Sequence, residues 1–441
     1  MVRRLAPARF AAAIAGTATL ALLSGCGGGG SAQTTESPSS VRPTSSPAST
    51  GSTPAFDPRP QDFRKIRTLM AARAAAVLSD DETAFLATVD PRQPRLLAQQ
   101  RVLFGNLRQL DVTALTYGVD TSALVPAAVP GGDPVLHPEV VEHLRIGQTL
   151  ARPVSNQVDL TFVRRQGRWL VGAVSQPQES GHFDSPQERP WFGAPIVVRR
   201  DGPLTVLLDK SAADSLDRLT TAIRSDIAYD ARLLGVPASY RVLVDATTNG
   251  LAYDFSSVSR EEAAAVTFGL VATDPLGDRA TGLAGTAIKV NPTLVDDVVS
   301  DAGILRHELT HYLLRQYSGS SPKWLTEGVA TWVQYYPDDF SQLHVPSALY
   351  SSLMRADRAL PSIGLFNTDP SLDYPISQAA VAALVDRGGV SKLVTLMKAY
   401  RSRYRGVDAD ALTPQLLRQV YGVTVAAVVR DTFAKLAQLR H

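Results

Sequence analysis

Two histidines four residues apart, His307 and His311, lie inside an apolar run at helical spacing. Ile304, Leu305, Leu309, Tyr312 and Leu313 form one stripe of that helix. Ser300-Asp301 can cap its start. Residues four apart share a helix face, so the two imidazoles project side by side. Glu308 follows about 100° around from His307, close to both rings but turned away from their common direction. Ser318-Gly319-Ser320-Ser321-Pro322 then breaks the helix. A turn of that length lets the next segment, Trp324-Leu325-Thr326-Glu327-Gly328-Val329-Ala330, fold back antiparallel and carry Glu327 to the histidine face.

Two imidazoles and one carboxylate make three metal ligands and leave a fourth position for water, the arrangement of catalytic rather than structural zinc. Glu308, beside the ion without ligating it, is the residue type that deprotonates a metal-bound water. After Glu262 the chain contains only Glu308 and Glu327 as glutamates, although aspartates are frequent there. A helix with two packed or solvated histidines would not require that economy. His137, His143 and His182 lack ligand spacing and read as solvated. His344 follows Asp338-Asp339 near the same region. No Gly-x-Ser-x-Gly occurs, and the single cysteine, Cys26, lies far from these residues in sequence.

The start of the chain has a different character. Arg3, Arg4 and Arg9 precede an uncharged apolar run at 10–23, about the length of a signal-peptide core and too short to span a bilayer. It ends in Leu23-Ser24-Gly25-Cys26, which resembles the bacterial lipobox. That resemblance implies cleavage after residue 25, lipidation of Cys26 and anchoring to the outer face of the cell membrane. Residues 26–60 are rich in Gly, Ser, Thr and Pro. They read as a tether spanning about 30–35 Å.

The whole chain has 441 residues, and the part beyond the tether is long enough for two domains. Residues 61–178 read as a small α+β unit. It has helices over 63–78 and 96–110, then a hairpin of 157–163 with 168–171 across Arg164-Arg165-Gln166-Gly167. This order resembles the cone of the nuclear-transport-factor-2-like superfamily, with Trp169 as a core residue. A polar connector covers 179–192. Residues 193–441 form a second α+β unit, with strands at 195–199, 204–208, 240–244 and 285–290 and a helix at 215–234, then mainly helices. Net charge is +2, from 44 basic and 42 acidic residues, which gives no field for nucleic acid.

His307-Glu308-x-x-His311 followed by Trp324-Leu325-x-Glu327-Gly328-x-Ala330 is similar to the gluzincin metallopeptidases, closest to their peptidase MA group. The resemblance covers roughly residues 195–441 and implies a zincin-like fold, one catalytic Zn2+ and a peptide or protein substrate. It implies His307, His311 and Glu327 as ligands, Glu308 as base, and Tyr374 as a candidate hydrogen-bond donor to the oxyanion. It also suggests the 285–290 strand as the cleft edge that pairs with extended substrate. The spacing from His311 to Glu327 is shorter than in the familiar aminopeptidases and thermolysins, and Gly-x-Met-Glu-Asn is absent. Removal of N-terminal residues is therefore not implied. Two rival readings stand beside this one: a zinc-bearing but inactive lipoprotein that binds a peptide or partner, and a metal hydrolase of a non-peptide cell-envelope amide.

Overall fold

The structure is a computed structural model describing residues 58–127, 133–175, 189–249, 264–362, 366, 369–406 and 408–441. The signal segment, Cys26, the tether as far as residue 57 and His182 lie outside the described residues. The fold is mixed α and β, with two sheets and many helices.

Three helices open the first unit: α1 (Pro60–Leu78), α2 (Glu82–Leu86) and α3 (Pro94–Gln109). Proline begins α1 and α3, at the position where its missing N–H costs nothing. Strands β1 (Val112–Ala127), β2 (Val135–Ile146), β3 (Val154–Arg165) and β4 (Arg168–Ser175) follow as an antiparallel meander in that order. The β3–β4 hairpin is tighter than the sequence suggested. Arg165 pairs with Arg168, and only Gln166 and Gly167, both at positive φ, form the turn, as a right-twisting two-residue loop requires. Trp169 is in the core with Ile66, Met70, Val140 and Phe162, and its indole donates to Asp62 Oδ1 at 3.1 Å.

At its described end, residues 189–192, the segment between the two units is packed into the protein and is not an exposed polar linker. The described end of the 179–192 segment places Trp191 and Phe192 in one apolar cluster with Phe104, Leu107, Leu144, Ile196 and Phe268, drawn from both units. Arg189 donates to Glu142 at 3.2 and 3.3 Å, and the Trp191 indole donates to the same carboxylate at 3.2 Å. The sequence reads as a connector there because the segment is mostly polar and carries Pro186 and Pro190. Burial follows area instead, and one indole outweighs several short polar groups. His143 is a second correction. It is buried, with its ring nitrogens 2.9 Å from Ser155 Oγ and 3.1 Å from the Pro275 carbonyl.

The second sheet holds β5 (Ile196–Asp201), β6 (Leu204–Asp209), β7 (Leu243–Ala246), β8 (Ala265–Thr273) and β9 (Ala280–Val290) in the order β5-β6-β7-β9-β8. Helix α4 (Leu216–Leu234) joins β6 to β7, which run parallel. The strand containing 285–290 is therefore interior, paired on both sides, and cannot be a cleft edge. The edge strands are β5 and β8, and β8 is the one beside β9, with Val266, Phe268, Leu270 and Ala272 alternating in sequence and buried. That alternation was the available signal for it.

Helices α5 (Val295–Ser300), α6 (Ala302–Ser318), α7 (Lys323–Tyr335), α8 (Ser347–Arg355), α9 (Pro370–Arg403), α10 (Thr413–Tyr421) and α11 (Val425–Leu436) complete the chain. Gly389, at φ 71°, kinks α9 midway. Trp324, Val329, Val381, Leu384, Met397 and Tyr400 fill the core between α7, α9 and their neighbours. Among the described residues no helix is long and apolar enough to cross a membrane.

Because Trp191 closes the core shared by the two units, Trp191→Ala should cost about 3–5 kcal/mol. Urea unfolding followed by tryptophan fluorescence and by circular dichroism measures this. A loss below about 1 kcal/mol would show the segment to be a linker after all.

Candidate functional site

Helix α6 begins at Asp301, whose side chain accepts from the Gly303 amide at 3.0 Å. Six residues after Asp301, His307 is buried, and His311 has only 11% of its side chain exposed. Gly303 and His307 lie against Gln334, and His311 against Glu327, so α7 runs antiparallel to α6. Three ligand atoms converge. Glu327 Oε2 is 3.2 Å from His311 Nε2 and 3.7 Å from His307 Nε2, and the two Nε2 atoms are 3.2 Å apart. This trio is a group able to hold a metal ion.

The rings are aimed from behind. His307 Nδ1 lies 3.1 Å from Gln334 Oε1. An acceptor there fixes the proton on Nδ1 and turns the Nε2 lone pair toward Glu327. Gln334 is a site residue that sequence reading missed. Its signal was its position seven residues after Glu327, which returns it to nearly the same helix face. Arg306 sets the rotation of α6 from the other side. Its guanidinium donates to Asp230 Oδ1 at 3.1 Å and to the Tyr336 carbonyl at 2.8 Å, and lies 4.2 Å over the Tyr229 ring.

Glu327 has no exposed surface. Burial would raise its pKa, but Lys323, His311 and His307 together hold it well below the ordinary carboxylate range. Lys323 donates to Glu327 Oε1 at 3.0 Å, on the side away from the histidines. Gly328 then allows close approach of α9, since a Cβ there would run into the Ser377 carbonyl.

Glu308 is fully buried. The Thr267 hydroxyl, on edge strand β8, donates to its backbone carbonyl at 3.0 Å. Neither carboxylate oxygen takes a hydrogen bond of good geometry, and burial lifts the group to a pKa of about 7. An orphaned acidic side chain beside three converging ligand atoms marks a place made for another polar group. Tyr374, on α9, is brought to the same place. Its ring centroid is 6.4 Å from that of His307, and Phe366 packs edge-on against it at 5.3 Å. His344 is exposed and bridges to Arg440, away from these residues.

No family model, no curated protein and no solved structure matches this chain. The site is therefore read from its own residues.

Asp230, which anchors Arg306, gives this scaffold a pH dependence. Burial raises its pKa to about 7 against the opposing pull of Arg306. Below about pH 4 both the folded and the unfolded chain hold this proton. Between about pH 4 and pH 7 only the folded chain does, so unfolding releases it and rising pH favours unfolding. Asp230→Asn should therefore gain stability relative to wild type as pH rises across that window. Parallel urea melts at pH 4.5, 6 and 7.5 measure the difference, and a constant gap would refute the assignment.

Proposed function

We propose that this chain is a zinc-dependent peptidase of the gluzincin kind, tethered by a lipidated Cys26 to the outer face of the cell membrane. The supporting observation is the convergence of His307 Nε2, His311 Nε2 and Glu327 Oε2 at separations of 3.2 to 3.7 Å. Ligands bound tetrahedrally at about 2.0–2.1 Å lie roughly 3.3 Å from one another, so the trio fits zinc without rearrangement. Two nitrogens and one carboxylate oxygen are also the donor set of catalytic zinc. In this reading residues 193–441 form a zincin-like unit, and the helix-then-meander unit before it is a nuclear-transport-factor-2-like cone.

Bound zinc would supply Lewis acidity, acidifying water and polarising the scissile carbonyl. The chain's own residues do the rest. Glu308, whose carboxylate oxygens take no hydrogen bond of good geometry, takes the proton of the attacking water and delivers it to the leaving amine nitrogen. The Tyr374 phenol donates to the oxygen that becomes negative in the transition state. Strand β8, which joins Glu308 through Thr267, is the sheet edge along which an extended peptide would lie.

Glu308→Gln should retain zinc and lose peptide hydrolysis by at least about a thousandfold, as removal of a general base together with its charge predicts. Zinc content by atomic absorption and digestion of a peptide library test this. Zinc without cleavage in the wild-type chain would favour a non-cleaving binding module, and release of a non-peptide amide product would favour the envelope hydrolase. Gln334→Leu should weaken zinc binding about 10–100-fold while leaving the ligands in place. Competition with a chromophoric chelator measures this, and unchanged affinity would remove Gln334 from the site.

A further inference from the structure

Lys323 is oddly placed for a residue that merely stabilises its helix. It occupies the first position of α7, where the helix dipole disfavours a cation. It precedes Glu327 by four residues, the weaker order for an ion pair along a helix. Yet its side chain is only 13% exposed against 0% for Glu327, and its ammonium is 3.0 Å from Oε1. Its ammonium also lies over the Phe366 ring, 5.6 Å from the centroid. The contact is made through the carboxylate oxygen that the histidines do not face, leaving Oε2 toward His307 and His311.

We infer that Lys323 is a resident counter-cation of the metal site: it neutralises Glu327 before the ion arrives, keeps the three ligand atoms assembled in the empty protein, and lowers affinity for the ion in return. This rests on the reading of His307, His311 and Glu327 as metal ligands. A buried carboxylate without a cation is strongly destabilising, and the Lys323 ammonium makes a salt bridge to Glu327. When a divalent ion takes over that neutralising role, the ammonium becomes a like charge a few ångströms away. The two roles are thermodynamically linked. A group that stabilises the metal-free state more than the metal-bound state must weaken binding by the same free energy. A residue that only positions a ligand would do the reverse and strengthen binding.

The test uses the chain with zinc ion as the probe. In Lys323→Met, zinc affinity by chelator competition should rise by at least about tenfold, the modest end of what removing a unit charge near a divalent ion predicts. Its melting temperature without zinc should fall further than its melting temperature with zinc. Lys323→Arg, which keeps the charge, should restore metal-free stability. In a Glu327→Gln background, Lys323→Met should leave metal-free melting unchanged, because no carboxylate remains to neutralise. Unchanged or weaker zinc affinity in Lys323→Met would overturn the inference, as would an equal loss of metal-free stability in the Glu327→Gln background. If Lys323→Met does not fold without zinc, refolding on addition of zinc supports the inference and failure to refold opposes it. If the wild-type chain binds no zinc, the metal-site reading falls instead, and the two failures remain distinct.

Discussion

Glu327 is a carboxylate with no exposed surface, placed beside two imidazoles. An ionised carboxylate does not stay buried unless opposite charge and hydrogen bonds accompany it, and much of the second unit is arranged around that requirement. Lys323 supplies a cation from one turn earlier in the same helix. The histidines supply polar partners from the antiparallel helix. Gly328, directly after Glu327, lets α9 seal the far side of α7 at backbone distance. Gln334 and Arg306 then fix how the α6 side chains face it.

The rest of the molecule reads as a scaffold for that arrangement. Sheet order puts β8 at the edge and α6 behind it, so that Thr267 and Glu308 meet. Asp230 on α4 holds Arg306, tying the helix that carries His307 and His311 to the helix that crosses between β6 and β7. The first unit is not a separate body beside this. Trp191, Phe192, Leu144 and Phe268 share one core, and His143 reaches the Pro275 carbonyl just beyond β8. Those contacts join the first unit to the segment at the end of β8.

Much of this was legible in the sequence where the signal was local. The spacing of His307 and His311, the Asp301 cap, the break at 318–322 and the hairpin around Gly167 each depend on a few adjacent residues, and the structure contains each of them. The failures were non-local. The 285–290 segment looked like an edge because it precedes α6 in sequence, whereas edge and interior are decided by which strands pair. The described end of the 179–192 segment, residues 189–192, looked like part of a linker because composition counts residues, whereas burial follows area and shape.

By itself the sequence determined that two imidazoles share a helix face and that one of only two late glutamates stands on the next helix. Helical periodicity and a short turn suffice for that, since both act within a few residues. Only the tertiary structure decided that Glu327 turns one oxygen to the histidines and the other to Lys323, that Gln334 backs His307, and that β8 borders Glu308. Those contacts join positions brought together by packing, and a side chain's direction within a core is set by the neighbours that leave it room.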